Sequence, residues 1–277
     1  MLGVRRLLGL VLAAIVAFLI FGASNKATNS ALAASTTLST KQQCAEISDV
    51  GDVNGQSCYQ YVDAAFTTSI NPAVIRAFDA WQEPNIMTEA WFQTAYSAGF
   101  RMFIVQDDTV LTPATDASTQ TIVEAAEAAG LQVAAFTCSP EDYAEGISAF
   151  GGLPMAFFAF DVEPGNGPGG SNCNGSDSTI VPVTSAEVAA VQTDGIRPVI
   201  YSYPDGWQGG SGFTNIPLWA SQDNTRITLK NWAPSLTSPP FNPTFGGWTQ
   251  SDLMAMQNVW LLFNGVWIDL DSMSANY

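Results

Sequence analysis

The chain has 277 residues, of which 47% are hydrophobic and 12% are charged, a composition that supplies a large core and excludes extended disorder. Nine Lys and Arg residues against 25 Asp and Glu residues give a net charge of -16, so nucleic acid and anionic lipid are not expected partners. The chain contains no histidine, which excludes Ser-His-Asp and Cys-His relays and leaves any zinc site without imidazole ligands. Acid–base chemistry must therefore come from carboxylates, and we expect no metal and no cofactor.

Residues 1–33 have the features of an export signal. Arg5 and Arg6 precede an uncharged apolar run over residues 7–23, and the small-x-small sequence Ala31-Leu32-Ala33 provides a cleavage site before Ala34. The apolar run also reaches the lower limit of a membrane span, so a retained signal anchor is the alternative. We therefore predict a secreted or extracellular protein, with membrane anchoring by the apolar run as the other reading of this segment.

Residues 34–70 are polar and rich in Ser, Thr, Gln and Gly, which predicts a disulfide-stapled extension and not a second core. This segment holds Cys44 and Cys58, and Cys138 and Cys173 follow in the next. An even number of cysteines in an exported chain predicts two disulfides among three pairings. Pairing Cys44 with Cys58 closes a local loop and leaves Cys138 with Cys173 as the complementary pair. Structural bonds are favoured over metal ligation because no CxxC pair occurs.

Residues 71–277 are predicted to form one barrel domain. Short runs rich in Val, Ile and Phe alternate with helical stretches, which is the pattern of parallel strands joined by crossover helices. Eight strands are predicted, the number that closes a barrel. They cover residues 74–79, 102–106, 132–137, 155–161, 197–202, 216–220, 254–262 and 266–270.

Helices are predicted mainly in the first half of this domain. Three of them cover residues 86–98, 119–129 and 185–193. Gly99 and Gly130 end the first two, and Thr184 caps the third. The later connections are rich in Gly, Pro, Asn and Trp, which predicts loops. The sequence therefore predicts an α/β fold, an irregular TIM-like (β/α) barrel with about five β/α units followed by three strands.

The strongest functional pattern is the end of the fourth predicted strand, AFFAFDVEP at residues 156–164. Side chains alternate along a strand, so Asp161 and Glu163 lie on one side, about 7 Å apart, facing the barrel mouth. Two neighbouring acids in a partly dry cleft resist simultaneous ionisation, and the one that keeps its proton can act as a general acid. The alternative is a strand end that turns into solvent, where acids are common. The Gly-, Pro- and Asn-rich residues 164–177 then predict a loop over the same face.

Further acids follow or end other predicted strands. Asp79 ends the first strand, Asp107 and Asp108 follow the second, and Asp269 and Asp271 lie in the eighth. Each alone is typical of a solvated strand end or a helix cap. At the carboxyl ends of barrel strands they would converge on one rim with the fourth-strand acids, which predicts a site of the size of a sugar.

Aromatic residues provide a second pattern, because flat rings can stack on sugar faces. Core packing explains any single ring equally well. Seven rings fall at or near predicted strand ends and long loops: Trp81, Tyr201, Tyr203, Trp207, Trp219, Trp248 and Trp260.

The order of the motifs resembles the glycoside hydrolase family 25 lysozymes, over residues 74–272. Those enzymes cleave the β-1,4 bond between N-acetylmuramic acid and N-acetylglucosamine in peptidoglycan. The similar segments are DAWQ at 79–82, VAAF at 133–136, DVE at 161–163, GIRPVIYS at 195–202, PLWA at 217–220, MQ at 256–257 and IDLD at 268–271. The opening from residue 79 to residue 91 also resembles a related set of glycoside-hydrolase-like barrel domains.

The chain departs from the family pattern at three places. Trp81 lies only two residues after Asp79, whereas in the family the Trp comes further along the chain. Gln106 and Asp107 replace an expected Arg after the second strand. The family's Trp-Gln-Tyr survives only as the sequence MQN at residues 256–258. These departures weaken the prediction of the sugar-binding surface more than they weaken the prediction of the catalytic acid.

The resemblance implies an irregular barrel of five β/α units and three further strands. It also implies Glu163 as the general acid, Asp161 as its charged partner, and Asp79 and Asp269 as acids that position the substrate or stabilise an oxocarbenium-like state. The residues expected to bind the substrate are Trp81, Tyr201, Trp219 and Gln257. We therefore expect a secreted, monomeric hydrolase of peptidoglycan or a related amino-sugar polymer. The alternative is a catalytically inactive carbohydrate-binding or surface protein on the same barrel.

Overall fold

The computed structural model describes residues 42, 49–50, 52–53, 56–57, 74–80, 82–106, 113–138, 143–163, 182–204, 206–210, 212–221 and 245–276. The chain divides into two compact units, Met1–Gln43 and Cys44–Tyr277, and Gln42 is the one described residue of the first. The predicted export segment therefore lies outside the described residues. Within the described part of the chain, no helix has both the length and the apolar character that crossing a membrane requires.

Eight strands close into a mixed β-barrel, which confirms the predicted barrel and its strand count. The strands are β1 (Val74–Ala80), β2 (Phe100–Gln106), β3 (Gln132–Thr137), β4 (Phe158–Asp161), β5 (Pro198–Ser202), β6 (Leu218–Ala220), β7 (Leu253–Phe263) and β8 (Val266–Ser274). They pair in the order 7-8-1-2-3-4-5-6, and β6 pairs with β7 to close the barrel. Before β1, Asp49–Val50 adds a short parallel pairing on β7, and Asp52–Val53 pairs with Gln56–Ser57.

Strand β8 runs in the opposite direction to the others, which corrects one step of the sequence argument. β1 to β7 are mutually parallel where they pair, whereas β8 is antiparallel to both β7 and β1. The prediction that Asp269 and Asp271 lie at a strand's carboxyl end is therefore wrong, since β8 continues to Ser274. Because β8 is reversed, its first half still meets the rim at which β1 ends, and Asp269 lies opposite Asp79.

The described helices follow the first four strands. They are α1 (Glu89–Ser97), α2 (Pro113–Ala128), α3 (Tyr143–Ala149) and α4 (Ser185–Thr193). The α4 prediction is confirmed, with a capping box between Thr184 and Glu187. α2 begins six residues before its predicted start, at a proline, which is favoured in the first helical turn. α3 was not predicted, because seven residues interrupted by Gly146 show no apolar period.

Two apolar layers result from the alternation of side chains along the strands. One face of the strands forms an outer core, in which Phe78 packs on Trp91 and Phe103 packs on Phe92 of α1. The other face fills the lumen of the barrel. The lumen residues include Ala77, Met102, Ile104, Ala134, Phe136, Phe157, Ala159, Val199, Met254 and Met273. Any polar side chain with the same alternation therefore faces into the barrel, above this apolar floor.

Candidate active site

Five acidic side chains project into one end of the barrel. Asp79 continues the inward face of β1 after Ala77, and Asp161 and Glu163 continue that of β4 after Ala159. The remaining two, from β8, are Asp269 and Asp271, which precede the lumen residue Met273 on the same face. Asp79 interacts electrostatically with acids of both other strands, namely Glu163 and Asp271. The structure therefore brings together the four acids that were predicted to be catalytic and Asp271, which was predicted to lie at the same rim.

Glu163 has the properties of a proton donor at neutral pH. It is half-buried, just beyond the end of β4. Burial raises the pKa of Glu163 from its ordinary value of 4.5 to about 7, and the negative charge of Asp79 adds to this effect. A carboxyl group with that pKa is protonated in slightly acidic solution and can give up its proton there.

Asp161 lies one pleat deeper than Glu163. It is 2% exposed, and its backbone pairs with that of Tyr201 on β5. Its Oδ2 atom lies 3.6 Å from the Sγ atom of Cys138. The other three cysteines lie outside the described residues, so the disulfide pairing remains a prediction. Asp161 thus occupies the wall of the lumen between β3 and β5.

Asp79 and Asp271 form a carboxyl–carboxyl pair below the rim. Asp271 is fully buried, Asp79 is 5% exposed, and their carboxyl groups lie close enough to share a hydrogen bond if one of them is protonated. Burial raises the pKa of Asp271 well above its ordinary value, and the charges of Asp79 and Asp269 raise it further. The Nε1 of Trp219 donates to Oδ1 of Asp271 at 2.9 Å and opposes this effect.

Two of the predicted substrate-binding rings are buried beneath the acids. Trp219 is 1% exposed and Tyr201 is 7% exposed, and their rings meet edge to face at 4.7 Å. Trp219 also meets Phe136 across the lumen at 6.0 Å. Tyr201 is hydrogen-bonded to the side chain of Ser221, and burial, followed by the charges of the nearby acids, raises its pKa. In this position both rings shape the floor of the site, and Trp219 in addition orients Asp271.

Trp267, which no sequence pattern singled out, lies at the mouth of the same site. Exposure falls along the inward face of β8, from 49% at Trp267, through half-buried Asp269, to 0% at Asp271 and Met273. The residues that alternate with these, Val266, Ile268 and Leu270, face the other way and belong to the outer core. The alternation of β8 was available in the sequence, but the correct register and direction of β8 were needed to place Trp267 at the mouth.

The remaining predicted site residues fall elsewhere or outside the described set. Trp81, Asp107, Asp108 and the loop at 164–177 lie outside the described residues, and so does the side chain of Gln257. The structure therefore leaves the predicted roles of Trp81 and Gln257 as predictions.

Three residues of the predicted motifs have structural contacts. Gln82 donates to the carbonyl of Gln106 at 2.9 Å and to Thr119 at 2.7 Å, and thereby ties the β1 loop to β2 and α2. Trp248 is 2% exposed, packs on Trp207 at 4.7 Å and belongs to the outer core. Gln82 thus supports the rim, while Trp248 and Trp207 lie away from the acids.

Within the described residues, no group of three or more acidic or cysteine side chains could hold a metal ion. The three described arginines, Arg76, Arg101 and Arg197, lie at or just before the amino ends of their strands. The acids occupy the opposite end of the barrel. The carboxyl groups of the described residues can transfer protons and stabilise positive charge.

Comparison of the chain with the models of known protein families found no match, and comparison with curated proteins also found none.

Proposed function

We propose that this protein is an exported glycoside hydrolase that cleaves β-1,4 bonds of peptidoglycan or a related amino-sugar polymer, with Glu163 as the general acid. The observation that carries the proposal is the position of Glu163, a half-buried carboxyl with a pKa of about 7, next to Asp79 in the barrel mouth. Glycoside hydrolysis typically needs two neighbouring acids with different pKa values, so that one is protonated while the other is ionised.

The proposed reaction uses the acids in two roles. Protonated Glu163 gives its proton to the glycosidic oxygen as the bond to the sugar breaks, and water then completes the hydrolysis by adding to the anomeric carbon and returning a proton to Glu163. Asp161 and Asp79, which face the same lumen, stabilise the positive charge that develops on the sugar ring. Half-buried Asp269 lies where it can hold a hydroxyl or amide group of the substrate. The apolar floor excludes water below the acids, which strengthens each of these interactions.

The resemblance supports the finer parts of the proposal. They comprise the TIM-like arrangement with about five β/α units, of which the described residues contain four helix–strand pairs. They also comprise export through residues 1–33 and two disulfides. A catalytically inactive carbohydrate-binding protein would share the barrel and the aromatic floor, but it would have no need for an acid whose pKa is held near neutrality.

The direct test is to incubate the purified mature chain with peptidoglycan and with chitin fragments and to identify the products by mass spectrometry. Both substrates are needed because the acidic mouth repels the anionic wall polymer but not neutral chitin. We expect new saccharide ends whose mass equals the substrate fragment plus water. Binding of either glycan without new ends would favour the inactive carbohydrate-binding alternative.

We expect the rate of hydrolysis to fall as the pH rises through about 7, because Glu163 must be protonated to act. Asp79→Asn removes the charge that helps to raise the pKa of Glu163, so the alkaline limb of kcat/KM should move to lower pH. The control is Asp194→Asn, which removes the same charge from an exposed helix end. An alkaline limb that stays in place in Asp79→Asn would contradict the coupling of Asp79 to Glu163.

Trp267→Ala is expected to raise KM roughly tenfold with little change in kcat, because the half-exposed ring offers a stacking surface at the mouth. Trp267→Phe keeps a ring and should retain most of the affinity. Neither change should alter the melting temperature much, since the side chain is 49% exposed. Steady-state kinetics on soluble oligosaccharides measure the effect. A KM equal to that of the unmodified protein would remove Trp267 from the binding surface.

A further inference from the structure

The carboxyl pair of Asp79 and Asp271 contains a buried acid that the proposed reaction does not use. Asp271 is fully buried on β8, and its carboxyl group lies close to that of Asp79 on the neighbouring strand β1. The two residues lie in neighbouring strands, where Asp271 pairs with Ala77 and Asp269 pairs with Asp79. Asp271 is thus one pleat deeper in the barrel than Asp269, and it is linked to Glu163 through Asp79, which interacts with both.

The close approach of the Asp271 and Asp79 carboxyl groups favours a proton on one of them. Two ionised carboxylates have only acceptor atoms, so they form a hydrogen bond only when one of them is protonated. Oδ1 of Asp271 already accepts from Nε1 of Trp219 at 2.9 Å. Oδ2 is buried and receives no hydrogen bond from an N–H or O–H group of the described residues. A proton on Oδ2 lets Asp271 donate to Asp79 while Oδ1 remains the acceptor for Trp219.

We propose that Asp271 keeps its proton at neutral pH and donates it to Asp79, so that the pair carries one negative charge and Asp79 is held in place beside Glu163. This inference rests on the proposed function for the role of Asp79 in the reaction. Asp271 is in this view a positioning residue, since it acts on the site through Asp79.

The groups that face Asp271 favour its protonated form. Burial and the charges of Asp79 and Asp269 all raise the pKa of Asp271, and the hydrogen bond from Trp219 lowers it by less. The protonation of one carboxyl group affects the other, because the two lie close together. The geometry of the donors then decides which oxygen carries the proton.

Among the described residues, Glu163 and Tyr201 interact with Asp79 across the lumen. The charge of Asp79 disfavours ionisation of Glu163, and ionisation of Asp271 would place a second anion in the same lumen. Burial, aided by the single charge of the pair, thus keeps Glu163 protonated near neutrality, and two buried carboxylates are not forced to ionise side by side.

Infrared spectroscopy tests the shared proton without a substrate. In the Glu163→Gln variant, which lacks the other acid protonated near neutrality, we expect a C=O stretching band of a buried protonated carboxyl group at pH 7. The double variant Glu163→Gln/Asp271→Asn should lose that band. Two spectra that are identical in this region, or a band that survives the second substitution, would overturn the inference.

Kinetics test the positioning role. Asp271→Asn reproduces the protonated acid, because its amide donates to Asp79 and its oxygen accepts from Trp219, so kcat should stay within about threefold of the unmodified value. Asp271→Ala removes the donor and should lower kcat by about tenfold or more with little change in KM. Equal kcat values for the two variants would overturn the positioning role.

The two experiments separate this inference from the proposed function. The infrared result does not depend on hydrolysis, so a band that depends on Asp271 in a protein that cleaves no glycan would contradict the proposed function alone. Hydrolysis in a protein without the band would contradict the shared proton alone. If Asp271→Ala does not fold, the infrared spectra of Glu163→Gln and Glu163→Gln/Asp271→Asn still test the shared proton.

Discussion

Glu163→Gln is expected to abolish glycan hydrolysis and, at pH 8, to make the folded protein more stable. The amide keeps the size of the side chain but has no acidic proton, and the loss of a general acid typically lowers a rate by about 10²- to 10⁴-fold. The gain in stability follows from the pKa of Glu163, which is about 7 in the folded protein against an ordinary value of 4.5.

The sign of the stability effect follows from proton binding. Because the pKa of Glu163 is raised on folding, the folded state holds its proton more tightly than the unfolded state does between pH 4.5 and about 7. Unfolding free energy is therefore lost as the pH rises through this window, and above it the ionised side chain costs roughly 3 kcal/mol. Glutamine never ionises, so the variant avoids this cost at pH 8 and gains nothing below pH 4.5.

Thermal unfolding of both proteins at pH 4.5 and pH 8 measures this difference. We expect the melting temperature of Glu163→Gln to exceed that of the unmodified protein by about 5–10 °C at pH 8, and to match it at pH 4.5. The control is Glu127→Gln on α2, a partly exposed acid whose pKa is also raised by burial, which should leave hydrolysis intact. Equal melting temperatures at pH 8 would show that the ionised Glu163 side chain does not destabilise the folded protein.

The barrel and the fourth-strand acids could be predicted from the sequence because both depend on local patterns. Buried strands appear as short apolar runs, and all eight occur in the structure with ends shifted by up to four residues. The alternation of side chains placed Asp161 and Glu163 on one face without knowledge of neighbouring strands. Residue identities along one strand were enough for that part of the site.

The sequence also contains a pattern that indicates the direction of β8, but the predicted strand order did not take it into account. Asn264 and Gly265 connect β7 to β8, and Asn-Gly is the strongest short hairpin pattern. Their φ angles are 45° and 85°, and Phe263 pairs with Val266 directly across the turn. A two-residue connection joins only antiparallel strands. Recognising this turn would have predicted the reversed strand.

The contacts that tie the site together could not be predicted from the sequence. Trp219 and Asp271 are separated by 52 positions, and their hydrogen bond depends on the closure of the barrel by β6, β7 and β8. An aromatic residue in an apolar strand carries the same pattern whether it packs in a core or binds a sugar. The prediction that Trp219 binds a sugar was therefore based on its position in the sequence alone. In the structure, its buried Nε1 donates a hydrogen bond to an acid.

Trp219→Phe is expected to lower both stability and hydrolysis, because Trp219 alone among the described residues donates a hydrogen bond to Oδ1 of Asp271. Loss of a donor to a buried acceptor, together with the smaller ring, should reduce the unfolding free energy by about 2–4 kcal/mol. Asp271 then loses its fixed orientation toward Asp79, and kcat should fall about tenfold. Denaturant unfolding and steady-state kinetics on one preparation measure the two effects together.

The matched control for this prediction is Trp248→Phe. Trp248 is 2% exposed, and its Nε1 donates to the carbonyl of Ile216 at 2.8 Å, but it lies in the outer core away from the acids. Its substitution should cost a similar amount of stability, since an equally buried donor is removed, while kcat stays unchanged. A fall in kcat of equal size in both variants would mean that general loosening of the barrel, and not the Trp219–Asp271 contact, lowers the rate. An unchanged kcat in Trp219→Phe would separate Trp219 from the reaction and leave it a structural role in the lumen.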